Sequence, residues 1–308
     1  MDKVKCRFNI IGSAFGHGAQ IHTTNSGPKY LESKYQLVQK LGSNFKWDCI
    51  IENIQNIEEL NSHGKNYHLV LKHSKELAAE VSRAVRVENE LCVVIGGDHS
   101  CGIGTWSGVT NSLSVQNNFG LIWIDAHMDA HTYITSPSQA LHGMPLAILL
   151  DNGDSDLRHI GCDGRKINPE NLVLIGVRSF EKGENNFLAS SKVKVFYIEE
   201  VERRGVKSVF EEALKIVGHN TRGFGVSIDL DSFDPEDAPG VGSPEPGGLR
   251  FNEVKDNLPI LFASENLKCL EIAEFNPSLD REDKTADIIC NILRVLDRTK
   301  NGNTSLLT

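Results

Sequence analysis

The sequence lacks the features that mark several common classes of protein. Its 308 residues carry 32 Lys and Arg against 41 Asp and Glu, a net charge of -9, so no basic excess favours nucleic acid or an anionic membrane. No stretch approaches the ~20 apolar residues of a membrane-spanning helix, and the first residues show no apolar signal segment. We therefore expect neither a nucleic-acid nor a membrane partner.

Cysteine pairing is also missing. The 7 cysteines are an odd number, they are scattered, and no C-x-x-C pair occurs among them. This distribution argues against a disulfide framework and against a zinc-thiolate site. It favours reduced thiols, and hence a cytoplasmic protein.

Linkers, charge blocks and internal repeats are absent as well, which predicts one domain over residues 1–308 with a mobile tail from about residue 298. Apolar, strand-like runs alternate with amphipathic, helix-like segments along the chain. This alternation predicts an α/β fold with a central parallel sheet flanked by helices on both faces. The strands are predicted at 8–12, 92–95, 120–124, 172–177, 225–230 and 269–273, and the helices from Pro28, at 68–89, and around 206–217 and 288–296.

What the sequence does have is a group of acidic and histidine side chains directly after an apolar run. Asp125, His127 and Asp129 follow the run at 120–124 and stand two residues apart. In an extended chain this period places all three side chains on one side. Two carboxylates and an imidazole without a neighbouring Lys or Arg would be poorly stabilised if buried, and a divalent cation resolves that conflict.

Other apolar runs end in the same way. Asp229 and Asp231 end one run, His99 follows another, and Glu274 follows a third. Since ligands bind beyond the carboxyl ends of parallel strands, these side chains are expected to converge. Six nitrogen and oxygen ligands exceed the need of one ion and indicate a hydrolytic site with two ions. Imidazole and carboxylate without thiolate suit Mn²⁺, with Co²⁺, Fe²⁺ or Zn²⁺ able to compete.

Two further residues acquire roles from this site. Asp98, next to His99, is interpreted as a support for the ligands. His142 stands beside Gly143 on a predicted loop or helix start, within reach of the site, and a hydrolase needs a proton donor for its leaving group. The Pro- and Gly-rich segment 234–248 is predicted to be a rigid loop that forms a wall for the substrate.

Four motifs in this order resemble the signatures of the ureohydrolases, the family of arginase, agmatinase and formimidoylglutamase. They are Gly-Gly-Asp-His-Ser (96–100), Asp-Ala-His-Met-Asp (125–129), Ser-Ile-Asp-Leu-Asp-Ser-Phe-Asp-Pro (227–235) and Glu-Phe-Asn-Pro (274–277). The resemblance spans nearly the whole chain. It implies a single α/β domain, usually in trimers or hexamers, with two Mn²⁺ per chain. The implied metal ligands are His99, Asp125, His127, Asp129, Asp229 and Asp231.

The resemblance also implies how a small cationic guanidino substrate is handled. A metal-bridging hydroxide, oriented by Asp129, would attack the guanidinium carbon. Glu274 would hold the guanidinium by paired hydrogen bonds, and His142 would deliver a proton to the departing amine.

Several positions bear on which ureohydrolase activity to expect. Glu181 and Glu184 match an acidic pair near the α-ammonium of the substrate in arginases. In the loop that reads the α-carboxylate there, this chain has His131, Ser138 and Ala140, and only Ser138 follows the usual pattern. His131 is expected to donate in place of an asparagine, and Ser243 keeps a hydroxyl where threonine is usual. On balance these segments favour arginase activity.

Four alternatives stay open at this point: agmatinase, formimidoylglutamase, a single-zinc enzyme like the deacetylases, and an inactive binding subunit. The complete ligand set argues against the last two, and counting the metal ions per chain would separate them.

Overall fold

The alternation of strand-like and helix-like segments takes the form of one parallel sheet. The structure, a computed structural model, describes residues 5–52, 62–113 and 118–302. Within these residues the sheet has eight strands, and all the neighbouring strands run parallel. The strands are β1 (Arg7–Ala14), β2 (Phe45–Glu52), β3 (Glu90–Ile95), β4 (Gly120–Ile124), β5 (Leu172–Val177), β6 (Lys194–Tyr197), β7 (Phe224–Asp229) and β8 (Leu267–Ala273).

Helices cover both faces of this sheet, as the sequence predicts for a single α/β domain. Those on one face include α3 and α4, and those on the other include α9, α10 and α11. The helices are α1 (Gly27–Lys29), α2 (Leu37–Leu41), α3 (Ser62–Ala84), α4 (Cys101–Leu113), α5 (Pro145–Leu149), α6 (Ser155–Arg158), α7 (Lys182–Ser190), α8 (Ile198–Arg204), α9 (Val206–Gly218), α10 (Phe251–Phe262) and α11 (Lys284–Asn301).

Successive residues of a strand face different cores. In β4, Ile122 and Ile124 pack into the core on the side of α9 to α11, whereas Leu121 and Trp123 pack into the core on the side of α3 and α4. All four side chains are fully buried. Burial on both faces explains why the strands appear in the sequence as continuous apolar runs and not as alternating patterns.

Several helix boundaries differ from the prediction: α3 begins at Ser62 and not at residue 68, and α11 begins at Lys284 and not near residue 288. Helix α3 ends at Ala84 and not near residue 89, because the chain turns there and Asn89 adopts the left-handed φ of +61°. Residues 298–301, expected in a mobile tail, form the last turn of α11, where the Asn301 side chain accepts a 2.7 Å hydrogen bond from the backbone N of Cys6. Residues 303–308 lie outside the described residues. No helix of the described ranges is both long and apolar enough to cross a membrane.

The strand order β2-β1-β3-β8-β7-β4-β5-β6 determines where the site forms. The four strands that precede the acidic and histidine motifs, namely β3, β8, β7 and β4, are consecutive neighbours in the sheet. The carboxyl ends of these four central strands therefore lie side by side, along the edge of the sheet that is formed by the strand ends.

Candidate metal centre

The predicted metal ligands converge at this edge in two groups that share one residue. The first group contains His99, which follows β3, and Asp229, the last residue of β7. The ring atom Nδ1 of His99 lies 2.8 Å from Oδ2 of Asp229, 3.2 Å from Oδ2 of Asp125 and 3.1 Å from Oδ2 of Asp129. His99 and Asp125 are completely or almost completely inaccessible to solvent.

The second group lies beside the first. Nδ1 of His127 is 3.2 Å from Oδ2 of Asp231 and 3.5 Å from Oδ1 of Asp125. Asp125 thus directs one carboxylate oxygen toward each group. In each group of three, the candidate ligand atoms lie within 4.8 Å of one another.

Local hydrogen bonds hold these carboxylates in place. Asp125 accepts from Nε1 of Trp123 at 2.8 Å and from the backbone N of His127 at 2.7 Å. Asp229 accepts from the backbone N of Asp231 at 2.8 Å, in the short 3₁₀ turn that follows β7. The two-residue spacing in the sequence therefore produces a turn in which each aspartate is oriented by the backbone of the next ligand.

Two of the functional candidates have strained backbones. Asp129 has a φ of +48° and Glu274 a φ of +67°, which is unusual for residues other than glycine. Such conformations persist only where the surrounding structure enforces them, and they cluster at functional sites. Here they turn both carboxylates toward His99 and its neighbours.

The fit of the site to a metal ion can be judged from the atom Nδ1 of His99. Ser227 donates its hydroxyl hydrogen to Oε1 of Glu271 at 2.8 Å. The hydroxyl oxygen of Ser227 can then only accept from Nε2 of His99 at 2.9 Å, so Nε2 carries the ring hydrogen and Nδ1 does not. Nδ1 then points toward three carboxylate oxygens, yet it makes no hydrogen bond of acceptable geometry to any described residue. A nitrogen lone pair surrounded by carboxylates is an arrangement that a cation stabilises.

The carboxylates themselves indicate the same deficit of positive charge. Burial and the charge of Asp125 raise the pKa of Asp129 to about 6. Burial and the charges of Asp231 and Asp125 raise the pKa of Asp229 well above its usual range. These residues fit divalent ions of the kind that prefer oxygen and imidazole ligands.

His142 and Glu274 form a pair on the open side of the metal ligands. Nδ1 of His142 lies 3.2 Å from Oε1 of Glu274, and that oxygen also accepts from the backbone N of His99 at 2.8 Å. Burial opposes a charge on His142, but the hydrogen bond to Glu274 outweighs it and raises the pKa of His142 to about 9. The site therefore holds a protonated imidazole near neutral pH.

Asp98 supports the loop of His142 and not the ring of a metal ligand. Its Oδ2 accepts from the backbone N of Gly18 at 2.8 Å, and the carbonyl of Gly18 accepts from the backbone N of His142 at 3.1 Å. Asp98 is fully buried and also accepts from Ser100. From the sequence, Asp98 is interpreted as a support for the metal ligands. In the structure its contact to Gly18 supports the loop of His142.

The residues expected to contact the far end of the substrate form a third group, here called the His131 cluster: His131, Glu181 and Glu184. Nε2 of His131 lies 2.8 Å from Oε2 of Glu181 and 3.4 Å from Oε1 of Glu184. The two glutamates also form a reciprocal capping box at the start of α7. Burial raises the pKa of Glu184 to about 8.

Two hydroxyl residues expected at the substrate lie in different surroundings. Ser138 is exposed, its Oγ accepts from the backbone N of Ala140 at 3.2 Å, and it lines a surface cavity of about 670 Å³ with Gly18 and Tyr133. Ser243 follows Gly242, where an added Cβ would lie 3.4 Å from Oε2 of Glu274. Ser243 is therefore next in the chain to a residue that contacts the pair of His142 and Glu274.

Sequence reasoning missed the residues behind His99. Glu271 is fully buried in β8 and accepts from Ser227 and, at 3.0 Å, from Nε1 of Trp106. One signal was available: Glu271 is the one charged residue of the otherwise apolar run 269–273, and a charge in such a place needs partners.

Comparison with known proteins agrees with this geometry. Residues 6–296 match the model of the arginase family. The arginase of Bacillus caldovelox is 41% identical over 231 residues, which are 75% of this chain and 76% of that protein. The arginase of Bacillus subtilis is 39% identical over 80% of each chain. A solved structure of the Bacillus caldovelox arginase superimposes with a TM-score of 0.86 at 34% identity, covering 98% of this chain and all of that one. The chain therefore belongs to the arginase family of metal-dependent hydrolases.

Proposed function

We propose that this protein hydrolyses a guanidino group with the help of two Mn²⁺ ions, converting L-arginine and water to L-ornithine and urea. The observation that carries the proposal is the position of Asp125, whose two oxygens face two separate groups of ligands. A single-zinc enzyme needs only one such group. Relatives that are 35–41% identical to this chain over most of its length are named arginase.

Each ion would be held by one histidine and by carboxylates of that group. His99, Asp129 and Asp229 would hold one ion, His127 and Asp231 would hold the other, and Asp125 would contribute to both. When bound, the two ions activate water for attack on the guanidinium carbon. The absence of thiolate among these ligands favours Mn²⁺ over softer ions.

The residues around the ions would bind the substrate and move a proton. The carboxylate of Glu274 offers two acceptor oxygens that match two N–H groups of a guanidinium. Attack on the guanidinium carbon breaks the bond to the substituted nitrogen, which needs a proton to leave as an amine. His142 would supply that proton, and its contact with Glu274, which raises the pKa of His142 to about 9, supports this role. Asp129 would orient the attacking water.

The experiment is urea release from L-arginine by protein that has been stripped of metal and then loaded with Mn²⁺. We expect two ions per chain by elemental analysis and loss of activity after chelation. Formiminoglutamate serves as the competing substrate and is assayed by release of formamide, and its preferential hydrolysis would indicate formimidoylglutamase activity in place of arginase activity. Full turnover without metal, or a single bound zinc, would contradict the two-ion site. An assembly of three or six copies stays a prediction, which light scattering would test.

A further inference from the structure

His131 lies on the wall between the metal ligands and the N-terminus of α7. It follows Asp129 by two residues, and its backbone N donates to the carbonyl of Gly143, the neighbour of His142, at 2.9 Å. Its side chain is almost completely buried. This contact holds His131 beside the loop of His142, the partner of Glu274, where the resemblance to the ureohydrolases places the tail of the substrate.

Both ring nitrogens of His131 already have partners within the protein. Thr135 accepts from the backbone N of Thr132 at 2.9 Å, and its Oγ1 lies 3.2 Å from Nδ1 of His131. Nε2 lies 2.8 Å from Oε2 of Glu181. With Thr135 at Nδ1 and Glu181 at Nε2, both ring nitrogens are engaged within the protein. The ring therefore has no N–H group left for a carboxylate of the substrate.

The surrounding structure holds the ring in this arrangement. Gly183 packs against Thr135 so closely that an added Cβ would lie 2.7 Å from the Cβ of Thr135. Glu184 is buried, and it accepts from the backbone N of Glu181 at 3.0 Å and of Ala130 at 3.3 Å. A rotation of His131 away from the glutamates would therefore give up its contacts to Glu181 and Thr135 while its ring stays buried, which is costly.

The charge of the His131 cluster discriminates between the groups that a substrate tail can carry. The carboxylate of Glu181 faces the imidazole, and its side chain is more than half exposed toward solvent. An ammonium group is attracted to such a site, and a carboxylate is repelled by it. Ala140 offers only a methyl group nearby in the loop. Ser138 remains as one neutral hydroxyl donor, and one such hydrogen bond is worth no more than about tenfold in affinity.

We propose that the cleft recognises the far end of its substrate only as a cation, through the exposed carboxylate of Glu181, and that His131, whose ring nitrogens are already engaged, gives no hydrogen bond to a carboxylate of the substrate. Agmatine, which is arginine without its carboxylate, is then a second substrate, hydrolysed about as well as L-arginine. This inference rests on the proposed hydrolysis of a guanidino group.

Three compounds separate the two groups of the tail. L-Arginine carries both an ammonium and a carboxylate, agmatine carries only the ammonium, and 4-guanidinobutyrate carries only the carboxylate. On the Mn²⁺-loaded protein, we expect the kcat/KM values for urea release from L-arginine and agmatine to agree within tenfold. The value for 4-guanidinobutyrate is expected to be at least 100-fold lower than that for agmatine. Calorimetry with the products gives a readout without turnover, and the Kd values of ornithine and putrescine should also agree within tenfold.

Two variants locate the effect. His131→Asn introduces an amide that can donate to a carboxylate, so it should raise the preference for L-arginine over agmatine at least tenfold. Glu181→Gln should lower kcat/KM for L-arginine and agmatine by a similar factor. It should therefore also lower the ratio of kcat/KM for agmatine to kcat/KM for 4-guanidinobutyrate. His159→Asn, at an exposed position, is the matched control and should change none of the ratios. Metal content and Tm are measured for every variant.

The outcomes decide separately on the activity and on the inference. Absence of urea from all three compounds would refute the proposed function itself. Urea from L-arginine with a preference above tenfold over agmatine would leave that function standing and overturn the inference. Equal hydrolysis of 4-guanidinobutyrate and agmatine would also overturn it. If His131→Asn does not fold, the substrate series and the product affinities of the unaltered protein still decide.

Discussion

The Nε2 atom of His99 lies 2.9 Å from the Oγ atom of Ser227, a residue that is itself fully buried. Ser227 in turn donates to Oε1 of Glu271, which lies 3.8 Å from Nε2 of His99, so a carboxylate behind the ring determines which nitrogen of His99 carries hydrogen. The nitrogen that faces the aspartates is thereby kept available for an ion.

The first prediction concerns this chain of hydrogen bonds. Ser227→Ala should weaken Mn²⁺ binding by about 10–100-fold, the usual effect of removing a partner of a metal-binding histidine. The Kd is measured by calorimetry on protein whose Tm shows that it is folded. Ser33→Ala, at an exposed position, is the control. An unchanged Kd in Ser227→Ala would refute the role that we assign to this serine.

The second prediction concerns protons that leave as the metal binds. Without metal, burial and Asp125 raise the pKa of Asp129 to about 6, and the carboxylates of Asp231 and Asp125 outweigh burial to raise the pKa of His127. An ion must displace these protons, so its affinity should rise as the pH increases from 6 to 8. Calorimetry in buffers of different ionisation enthalpy counts the protons released. A constant affinity across this range would contradict the prediction.

The third prediction separates chemistry from structure at His142. His142→Asn should lower kcat by about 10²–10⁴-fold, the range for loss of one general acid or base, while KM changes little. Both ions should remain bound, because the described contacts of His142 involve Glu274 and not the metal ligands. The kcat, Tm and metal content are measured on one preparation. A lower Tm with an unchanged kcat would show that His142 only packs.

The fourth prediction concerns stability away from the site. His73, on α3, is buried against Phe15 with Nε2 2.7 Å from Oγ of Ser13, and burial lowers its pKa to about 3. The unfolded chain binds a proton near pH 6.5 and the folded chain does not. The free energy of unfolding should therefore fall as the pH drops below 6.5, by about 1.4 kcal/mol per pH unit from this residue.

Urea unfolding of the metal-free protein between pH 6.5 and 4.5 tests this value. As the pH falls, the free energy of unfolding of His73→Asn should decrease by about 1.4 kcal/mol per pH unit less than that of the unaltered protein. His68→Asn, at an exposed position on the same helix, should show the same pH dependence as the unaltered protein. Identical pH dependence in His73→Asn and the unaltered protein would show that burial of His73 carries no such cost.

The central part of the fold was predictable because its strands are buried on both faces. The bounds of β4 and β5 agree with the predicted 120–124 and 172–177, where apolar runs are flanked by polar residues. The edge strands β2 and β6 were missed. β2 is only half-buried along most of its length, and β6 has just 4 residues, so neither has a continuous apolar run. Helix α4 was missed because its first ten residues are all buried, which leaves no polar face and no helical period.

The convergence of the predicted metal ligands could be predicted for a physical reason that does not extend to the substrate. Within each motif the candidate ligands are close in the chain, and the strands before the motifs end at the same edge of the sheet. One partner of His131, by contrast, is Glu181 at the start of α7, 50 residues away in the sequence. The expectation that His131 donates to a carboxylate considered its type and position but not those partners. The same holds for the contact between Asp98 and Gly18, which joins two loops from separate strands.

The position of β8 between β3 and β7 determines when the site can form during synthesis of the chain. His99 and Asp229 are translated well before Leu267–Ala273, yet in the sheet they are separated by that last strand. A ribosome-bound chain that ends before β8 therefore has both ligands but no backbone to hold β3 and β7 at the correct separation. The group that contains His99 can therefore assemble only after β8 has emerged and inserted, whereas the group of Asp125, His127 and Asp231 needs only the neighbouring strands β4 and β7.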